Sequence, residues 1–205
     1  MLIIKQLIVG QLSTNCYLVY EDKSSQALII DPGDDADYII RTLSDLQVKP
    51  KAIVATHGHF DHILAVTELK LAYTIPFMMN KKDEFLLARM QDSAKFFTES
   101  KENFSPKIDK YLKNKLVIGH LSFDIIHTPG HTPGSLSFYF KKYKILFCGD
   151  LAFARGVGRT DFTYSSEKDL KLSLDKILKL PSETRVLSGH GEETTIKKIK
   201  MYNKY

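Results

Sequence analysis

The chain has 205 residues, of which 43% are hydrophobic, so it can bury a sizeable core and we expect one domain over residues 1–205. Its net charge of +5 comes mostly from scattered lysines, without the interleaved aromatic residues of a nucleic-acid-binding surface, so we expect no nucleic-acid partner. No stretch approaches the length of a membrane span, which predicts a soluble protein without membrane contact.

The cysteines and the opening residues predict the compartment. Cys16 and Cys148, the only cysteines, lie in apolar, strand-like runs, where thiols are packed rather than joined in disulfides. Residues 1–10 are apolar but contain Lys5 and Gln6 and no small-residue cleavage signature, which is typical of a first strand and not of a signal peptide. We therefore expect a protein of a reducing compartment, the cytoplasm.

Three strands are predicted at the start of the chain. They correspond to the apolar runs at 1–10, 16–20 and 26–30. The sequence Glu-Asp-Lys-Ser-Ser between the second and third runs has the composition of a hairpin loop. The turn signal Asp31-Pro32-Gly33 then ends the third strand.

A helix and a buried strand follow. Asp34 or Asp35 is expected to cap the helix, in which apolar residues recur at helical spacing. Pro50 is expected to close the connection before the short apolar run at 52–55, which predicts a buried strand. A strand, a helix and a second strand in this order are typical of an α/β fold.

The most informative stretch is Thr-His-Gly-His-Phe-Asp-His, which follows that buried strand directly at 56–62. It places four potential metal ligands, His57, His59, Asp61 and His62, at one strand end. Neutral imidazoles and an ionised carboxylate carry lone pairs suited to a divalent cation, and Gly58 removes a Cβ that would crowd a tight turn. A solvated polar loop does not account for three histidines in six residues, so we interpret the stretch as part of a metal site.

The middle of the chain is interpreted as mainly helical. A helix is expected over 62–70 and a strand over 75–79. Asn80 is expected to cap an amphipathic helix over 81–90. Residues 91–115 predict a helix, a loop and a second helix. Their aromatic residues belong to the core or contribute to specificity: Phe96, Phe97, Phe104 and Tyr111.

The second half of the chain predicts four further strands, at 121–127, 136–140, 145–148 and 185–188. Two Pro-Gly turns bracket His131 after the first of these, and Gly149-Asp150 ends the third. The last strand ends in Gly189-His190-Gly191. An amphipathic helix is predicted over 166–180, and a threonine at 194 or 195 is expected to cap a terminal helix.

Together, these motifs resemble those of a known family. The strings T-H-G-H-F-D-H, H-T-P-G-H-T-P-G-S, C-G-D and S-G-H-G occur here in this order over essentially the whole chain. This series is similar to that of the metallo-β-lactamase-fold hydrolases, and within them to the glyoxalase II-like group. Secreted metallo-β-lactamases typically carry Cys where this chain has Asp150, which favours the resemblance to the glyoxalase II-like group.

The resemblance implies an α/β fold, a four-layer αββα sandwich of two mixed sheets with helices outside. It implies two divalent metal ions. Zinc is the first choice, although imidazole and carboxylate ligands also suit iron and manganese. The first ion would be held by His57, His59 and His131, the second by Asp61, His62 and His190, and Asp150 would bridge them. Asp61 is also assigned a catalytic role. His120 and His127 fit no ligand position.

Arg159 is the predicted substrate-binding residue. It belongs to Gly-Val-Gly-Arg-Thr-Asp-Phe at 156–162, which resembles a loop shared by glyoxalase II-like hydrolases and persulfide dioxygenases. Its side chain either contacts the substrate or pairs with Asp161, and the sequence leaves both open. Glyoxalase II proper continues beyond the last ligand into a helical domain that binds glutathione, whereas this sequence ends one helix after His190. We therefore expect weak discrimination of the thiol carrier.

These expectations favour a metal-dependent hydrolase of a small-molecule thioester, such as a hydroxyacyl-thiol. Two divalent ions supply an ionised water for attack on a carbonyl group. A thiolate leaves as an anion because thiols have a pKa of about 8.5, so no general acid is needed. The alternatives are an iron-dependent persulfide dioxygenase, a hydrolase of another ester, lactone or phosphodiester, and a metal-binding module without catalysis. The oligomeric state is left open.

Overall fold

The computed structural model describes residues 1–22, 24–98 and 104–202, and residues 23, 99–103 and 203–205 lie outside this description. The described strands are β1 Leu2–Val9, β2 Thr14–Glu21, β3 Gln26–Ile30, β4 Lys49–Val54, β5 Phe77–Met79, β6 Lys110–Tyr111, β7 Lys115–Ile118, β8 Leu121–His127, β9 Leu136–Phe140, β10 Ile145–Gly149, β11 Ala152–Phe153, β12 Gly156–Val157, β13 Arg185–Ser188 and β14 Thr194–Thr195. The described α-helices are α1 Ala36–Asp45, α2 Val66–Tyr73, α3 Glu84–Ala88, α4 Met90–Phe97, α5 Glu167–Ile177 and α6 Ile196–Tyr202. None of these helices is long and apolar enough to cross a membrane.

Two six-stranded sheets form the centre of the fold. The first has the order β1-β2-β3-β4-β5-β6, with antiparallel pairs from β1 to β3 and parallel pairs from β3 to β6. The second has the order β14-β13-β10-β9-β8-β7, and its β10–β13 pair is parallel while the other pairs are antiparallel. Both sheets are therefore mixed, as predicted. Strands β11 and β12 form a separate ribbon.

The sheets are stacked between helices because their central strands bury side chains on both faces. Ile29 and Ile30 are neighbours in β3 and point to opposite faces. Ile29 belongs to a core with Ile39 of α1, whereas Ile30 belongs to a second core with Phe138 of the other sheet. A third core joins the outer face of the second sheet to α5 and α6. The order helix, sheet, sheet, helix confirms the predicted αββα sandwich.

The prediction at Pro50 is wrong, because this residue lies inside β4 and not in the connection before it. Pro50 pairs with Ala27 of β3, and the parallel register then shifts, so that Leu28 faces Ala52. Proline lacks the N–H group that a regular ladder requires and is tolerated at a bulge. The irregularity at Lys51 therefore allows β4 to begin earlier than the apolar run.

One helix start was predicted wrongly, and one expected side-chain cap is absent. The helix expected from His62 begins at Val66, because residues Phe60–His62 form a separate 3₁₀ turn. The side chain of Asp35 does not cap α1, as was expected of Asp34 or Asp35, and accepts a hydrogen bond from Gly10 N–H at 2.8 Å instead. Hydrophobic spacing located both helices, and α1 begins directly after Asp35 as expected, whereas the 3₁₀ turn delays the start of α2.

The segment from 81 to 115 differs most from the prediction. Asn80 caps the chain as expected, accepting from Lys82 N–H at 3.0 Å, but a 3₁₀ turn and the short helix α3 replace the single helix over 81–90. Helix α4 agrees with the first helix expected over 91–115. The helix expected near the end of 91–115 is absent from its described part, where Lys110–Tyr111 pairs with β5 as an edge strand. Residues 99–103 of this prediction lie outside the described residues.

Candidate metal centre

All seven predicted ligand residues come together where four strands end. His57, His59, Asp61 and His62 follow β4, His131 lies between β8 and β9, Asp150 follows β10, and His190 follows β13. Their ligand atoms fall into three groups within which all atoms lie no more than 4.8 Å apart: His57, His59 and His131; His57, His62 and Asp150; Asp61, His62 and His190.

Three imidazole rings form the first set of candidate ligands, called the first ligand set below. Nδ1 of His59 lies 3.0 Å from Nε2 of His57 and 2.9 Å from Nε2 of His131. A ring nitrogen of a neutral imidazole carries either a proton or a lone pair, so Nδ1 of His59 can donate to only one of these neighbours. With one proton or one lone pair, Nδ1 of His59 cannot form a full hydrogen bond with both neighbours, and a cation bound by the lone pairs of all three nitrogens resolves this conflict.

The second ligand set contains two rings and a carboxylate. Oδ2 of Asp61 lies 3.6 Å from Nε2 of His62 and 3.3 Å from Nε2 of His190. The hydroxyl group of Thr14 donates to the same oxygen at 3.2 Å and holds the carboxylate in place. Two nitrogens and one oxygen are ligand types that divalent transition metals accept.

Asp150 contacts both sets. Its Oδ1 lies 3.6 Å from Nε2 of His62, and its Oδ2 lies 3.6 Å from both Nε2 of His131 and Nε2 of His190. A carboxylate between two cations offsets their mutual repulsion, as required in sites where two metals lie close together. The position of Asp150 therefore fits that of a shared ligand.

Two buried polar atoms test whether these residues suit a metal. Nε2 of His62 and Oδ1 of Asp150 have no hydrogen-bond partner among the described residues. Their separation of 3.6 Å is too long for a hydrogen bond between them. Buried polar atoms without partners are costly and rare in folded proteins. A cation bound between them would satisfy both, so the residues fit a metal site.

The outer ring nitrogens are held by acceptors, which directs the inner lone pairs into the cluster. Nδ1 of His131 lies 2.9 Å from the carbonyl oxygen of Arg159, and Nδ1 of His190 lies 3.1 Å from that of Leu12. A carbonyl oxygen can only accept, so both outer nitrogens carry the proton and both Nε2 atoms carry the lone pair. Such hydrogen bonds fix the tautomer and orientation of metal-ligating rings.

Asp31 performs the same task for two further rings. Its Oδ2 accepts from Nδ1 of His62 at 3.1 Å and from the hydroxyl group of Thr56 at 2.7 Å, and its Oδ1 accepts from Thr56 N–H at 2.7 Å. Because the Thr56 hydroxyl donates to Asp31, it accepts from Nδ1 of His57, which lies 3.1 Å away. One buried carboxylate thus orients His57 and His62.

Asp83 connects the two loops that carry the first ligand set. This fully buried carboxylate accepts from Gly58 N–H at 3.0 Å, from the Thr132 hydroxyl at 2.7 Å and from Gly134 N–H at 2.6 Å. A Cβ on Gly58 would lie 2.9 Å from the Cβ of Asp83, so the glycine between His57 and His59 permits this close contact. Burial raises the pKa of Asp83, although its three hydrogen bonds lower it.

The electrostatics of the cluster favour cation binding. Burial, followed by the neighbouring His131, lowers the pKa of His59 to about 3, so this ring keeps its lone pair at neutral pH. Burial alone would lower the pKa of His62, but Asp61, Asp150 and Asp31 outweigh it and raise that pKa to about 10. Three carboxylates around one imidazole require a positive charge, which a proton or a metal ion supplies.

The loop of the last ligand has room only for glycine at position 189. A Cβ there would lie 2.2 Å from Oδ1 of Asp150 and 2.6 Å from Cε1 of His62. Contacts below about 3 Å do not occur at real Cβ atoms, so any side chain would displace these two residues. The glycine before His190 therefore allows its loop to reach the cluster.

The remaining histidines and the cysteine near the cluster have other roles, as expected. His120 is exposed, and His127 lies in β8 with its Nε2 2.9 Å from the carbonyl oxygen of Pro133, in the loop that carries His131. Cys148 is buried in the third core, and burial raises its pKa to about 12, so it is a packed thiol.

Arg159 lies beside the cluster and forms the pair that the sequence left open. Its Nε and Nη2 donate to the two carboxylate oxygens of Asp161 at 2.6 and 2.5 Å, and its guanidinium lies 4.5 Å from the ring centre of Phe162. It also lines the cavity above the ligand residues. Internal pairing and proximity to a substrate are thus compatible in this loop.

Comparison with known proteins identifies the family. Residues 9–190 match the family model described as the metallo-beta-lactamase superfamily. The chain belongs to the metallo-beta-lactamase superfamily. The fold and the His/Asp cluster agree with this membership, which supports a metal-dependent hydrolase.

Three relatives are similar over nearly their whole length. A protein of Haemophilus influenzae named hydroxyacylglutathione hydrolase GloC is 34% identical over 201 residues, which are 93% of this chain and 92% of that protein. The structure of the BLEG-1 B3 metallo-beta-lactamase has a TM-score of 0.92 at 38% identity and covers 98% of both chains. TTHA1623, solved in a di-iron-bound form, has a TM-score of 0.89 at 32% identity, again over 98% of both chains.

Sequence reasoning missed the residues that orient the ligands. Asp31 was interpreted only as part of a turn, although it follows an apolar strand in the same way as Asp150. Asp83 was assigned to a charged helix, and nothing in Lys-Lys-Asp-Glu distinguishes a buried carboxylate from a solvated one. Tyr164 was not considered, yet its hydroxyl group lies 2.9 Å from Nε2 of His59.

Proposed function

We propose that this protein is a dinuclear metal-dependent hydrolase of thioesters, with a hydroxyacyl-thiol as the substrate class. The observation that carries the proposal is the position of Asp150 between two complete ligand sets, with one of its oxygens buried and unpaired among the described residues. The relative named hydroxyacylglutathione hydrolase GloC, at 34% identity, supports the choice of a thioester.

The proposed ligands follow the two sets of atoms. His57, His59 and His131 hold the first ion, Asp61, His62 and His190 hold the second, and Asp150 holds both. Nitrogen and carboxylate ligands without a thiolate suit zinc, iron and manganese alike. Zinc is our first choice, and the di-iron form of TTHA1623 supports iron as the alternative.

When bound, the two ions supply an ionised water near neutral pH and polarise the carbonyl oxygen of the substrate. The protein contributes histidine rings whose lone pairs point into the cluster, and the ionised carboxylate of Asp61. Burial alone would raise the pKa of Asp61, but His62 and His190 outweigh this effect and lower it, so the carboxylate stays ionised and can orient a nucleophilic water by accepting a hydrogen bond from it. A thiolate leaves without a proton, because thiols have a pKa of about 8.5.

Arg159 is proposed to contact the substrate. Its Nε and Nη2 are used by Asp161, whereas its Nη1 has no hydrogen bond among the described residues and remains available for an anionic group. The side chain is 56% exposed and lines the cavity above the ligand residues. A contact of this kind modifies affinity modestly because solvent screens it.

The free, buried cysteines Cys16 and Cys148 support a reducing compartment, and we assign the activity to the cytoplasm.

The proposal is tested by separating hydrolysis from oxygen chemistry. Protein loaded with zinc or with iron is assayed anaerobically for cleavage of a hydroxyacyl thioester, by release of the free thiol. Parallel assays measure oxygen uptake with a persulfide and ring opening of a β-lactam, since BLEG-1 is named a metallo-beta-lactamase. We expect thioester cleavage without oxygen. Oxygen uptake with a persulfide, or β-lactam hydrolysis, in a protein that leaves thioesters intact would overturn the proposal.

A further inference from the structure

A cavity of about 170 Å³ lies over the ligand cluster, and its walls differ from its floor. The floor consists of four ligand residues, His59, Asp61, His131 and Asp150. The walls are mostly apolar or aromatic and come from separate parts of the chain: Leu12, Phe60, Phe97, Phe162 and Tyr164. A group attached to a reacting carbonyl on the floor therefore extends between apolar walls.

Two stacked aromatic pairs build these walls. The rings of Phe60 and Phe97 lie 5.8 Å apart with an interplanar angle of 12°. The rings of Phe162 and Tyr164 lie 5.3 Å apart with an angle of 11°. Tyr164 is further held by the contact of its hydroxyl group with His59 at 2.9 Å. Each of these rings therefore packs against another, which stabilises the walls.

The walls carry little net charge. Among the described residues that line the cavity, Arg159 is the only lysine or arginine. Asp161 pairs with it through two hydrogen bonds, and its guanidinium lies over the ring of Phe162. The contribution of this arginine to binding an anion is thus reduced by its own partner, and the larger recognition surface is apolar.

Two wall residues have large apolar side chains that are nevertheless partly exposed to solvent. Leu12 is 40% exposed and Phe97 is 48% exposed, at the mouth of the cavity. Large apolar side chains beside a catalytic site are favourable when a ligand removes them from water. Phe96, the neighbour of Phe97 in α4, is 82% exposed and does not line the cavity, and it reaches the cavity wall only through an edge-to-face contact with Phe97, with ring centres 4.8 Å apart. The chain therefore offers a matched pair of phenylalanines, one inside the cavity and one outside it.

We propose that this cavity is a subsite for an apolar group of the substrate, aliphatic or aromatic, and that Phe97 determines specificity for it. The inference rests on the proposed thioester hydrolysis and defines its substrate class further. The apolar group belongs either to the acyl part or to the thiol part of the thioester, because both extend from the carbonyl carbon. Each methylene buried against the walls raises kcat/KM by up to about fourfold.

The test uses two series of thioesters. In one, acetyl, butyryl and hexanoyl groups are joined to the same thiol, and in the other a fixed acyl group is joined to thiols of increasing chain length. We expect kcat/KM of the wild-type protein to rise along at least one series, mainly through KM. Phe97→Ala loses most of this rise, Phe97→Leu keeps part of it, and Phe96→Ala follows the wild type.

A binding measurement keeps this inference separate from the proposed chemistry. Non-hydrolysable thioethers of the same chain lengths are titrated calorimetrically into the metal-loaded wild type, Phe97→Ala and Phe96→Ala. Affinity that rises with chain length in the wild type and Phe96→Ala, but not in Phe97→Ala, supports the subsite even if no thioester is cleaved. Affinity and kcat/KM independent of chain length, or equal chain-length dependence in Phe97→Ala, would overturn it.

Discussion

The carboxylate of Asp31 accepts a hydrogen bond from Nδ1 of His62 at 3.1 Å, and both side chains are almost completely buried. The same carboxylate holds Thr56, whose hydroxyl group contacts His57. Asp31 therefore touches no ligand atom of the cluster but controls the direction of two of its rings. Its place at the end of β3, beside the strand that leads to the histidines, makes this contact possible.

Replacing Asp31 tests this orienting role. In Asp31→Asn, one oxygen that accepts from Thr56 or His62 becomes an amide that can only donate. We expect metal affinity to fall by about 10–100-fold, the usual effect of removing a partner of a metal-ligating histidine. Competition titration with a chromophoric chelator measures this change.

Asp109→Asn is the matched control for this variant. Asp109 also accepts from a backbone group, Phe77 N–H at 2.7 Å, and from Nζ of Lys70, but it contacts none of the ligand residues. This substitution should lower stability at most and leave metal affinity unchanged. Equal metal affinities in Asp31→Asn and the wild type would contradict the orienting role.

Replacing Asp83 should affect stability and the first ligand set together. Its carboxylate accepts three hydrogen bonds, two of them from the backbone of Gly58 and Gly134. In Asp83→Asn at least one buried donor loses its acceptor, which costs about 1–3 kcal/mol. Denaturant unfolding of the metal-free protein should show this loss in the free energy of unfolding.

A comparison with Thr132→Val separates the two effects of Asp83. That variant removes one donor but leaves both backbone hydrogen bonds of Asp83 in place. We expect a smaller loss of metal affinity than in Asp83→Asn. If Asp83→Asn unfolds more easily yet binds metal as tightly as the wild type, Asp83 supports the fold without positioning the ligands.

The pairing of Arg159 with Asp161 predicts a low pKa for the carboxyl group of Asp161. The hydrogen bond from Arg159 lowers the pKa of Asp161 to about 2. Because the folded-state pKa lies below the unfolded value of about 3.9, the pair contributes its stability above that value and loses it as the pH falls towards 2. An NMR titration of the carboxyl carbon should show the low midpoint, and Arg159→Ala should move it upwards. A midpoint near 3.9 in the wild type would show that the pair does not persist in solution.

The contribution of Arg159 to binding is tested with charged and neutral substrates. Arg159→Ala should raise KM for an anionic thioester by up to about fivefold and leave KM for a neutral thioester nearly unchanged, as expected for one screened charge contact. Asp161→Asn should act in the opposite direction, because it frees the guanidinium. Equal effects on both substrates, or a loss of thermal stability alone, would mean that Arg159 only holds its loop.

The sequence located the longer strands and the seven residues that the fold brings into the cluster, for a physical reason. Central strands buried on both faces, such as β3 and the second half of β4, are mostly apolar runs, and glycine or proline marks the points where the loops of the cluster begin. Ligand residues at strand ends could therefore be recognised individually. Their convergence depended on the resemblance to a family, because spacing alone does not determine which strand ends meet.

Other features depend on contacts that spacing does not encode. The start of α2 at Val66 follows from the 3₁₀ turn that presents Asp61 and His62. The edge strand β6 forms only because β5 offers free backbone groups to a short polar segment. Asp83 lies in a highly charged sequence, and its burial results from packing against the loops of Gly58 and Gly134. The start of α2, the formation of β6 and the burial of Asp83 all depend on tertiary contacts.

Metal content of the wild type, Asp150→Ala and His190→Ala, measured by elemental analysis after loading and removal of excess metal, tests the central claim most directly. The shared position of Asp150 predicts about two ions per chain in the wild type and loss of both in Asp150→Ala, because removing the carboxylate also restores repulsion between the cations. His190→Ala should lose chiefly the second ion. Two ions retained in Asp150→Ala, or none bound by the wild type, would contradict the account.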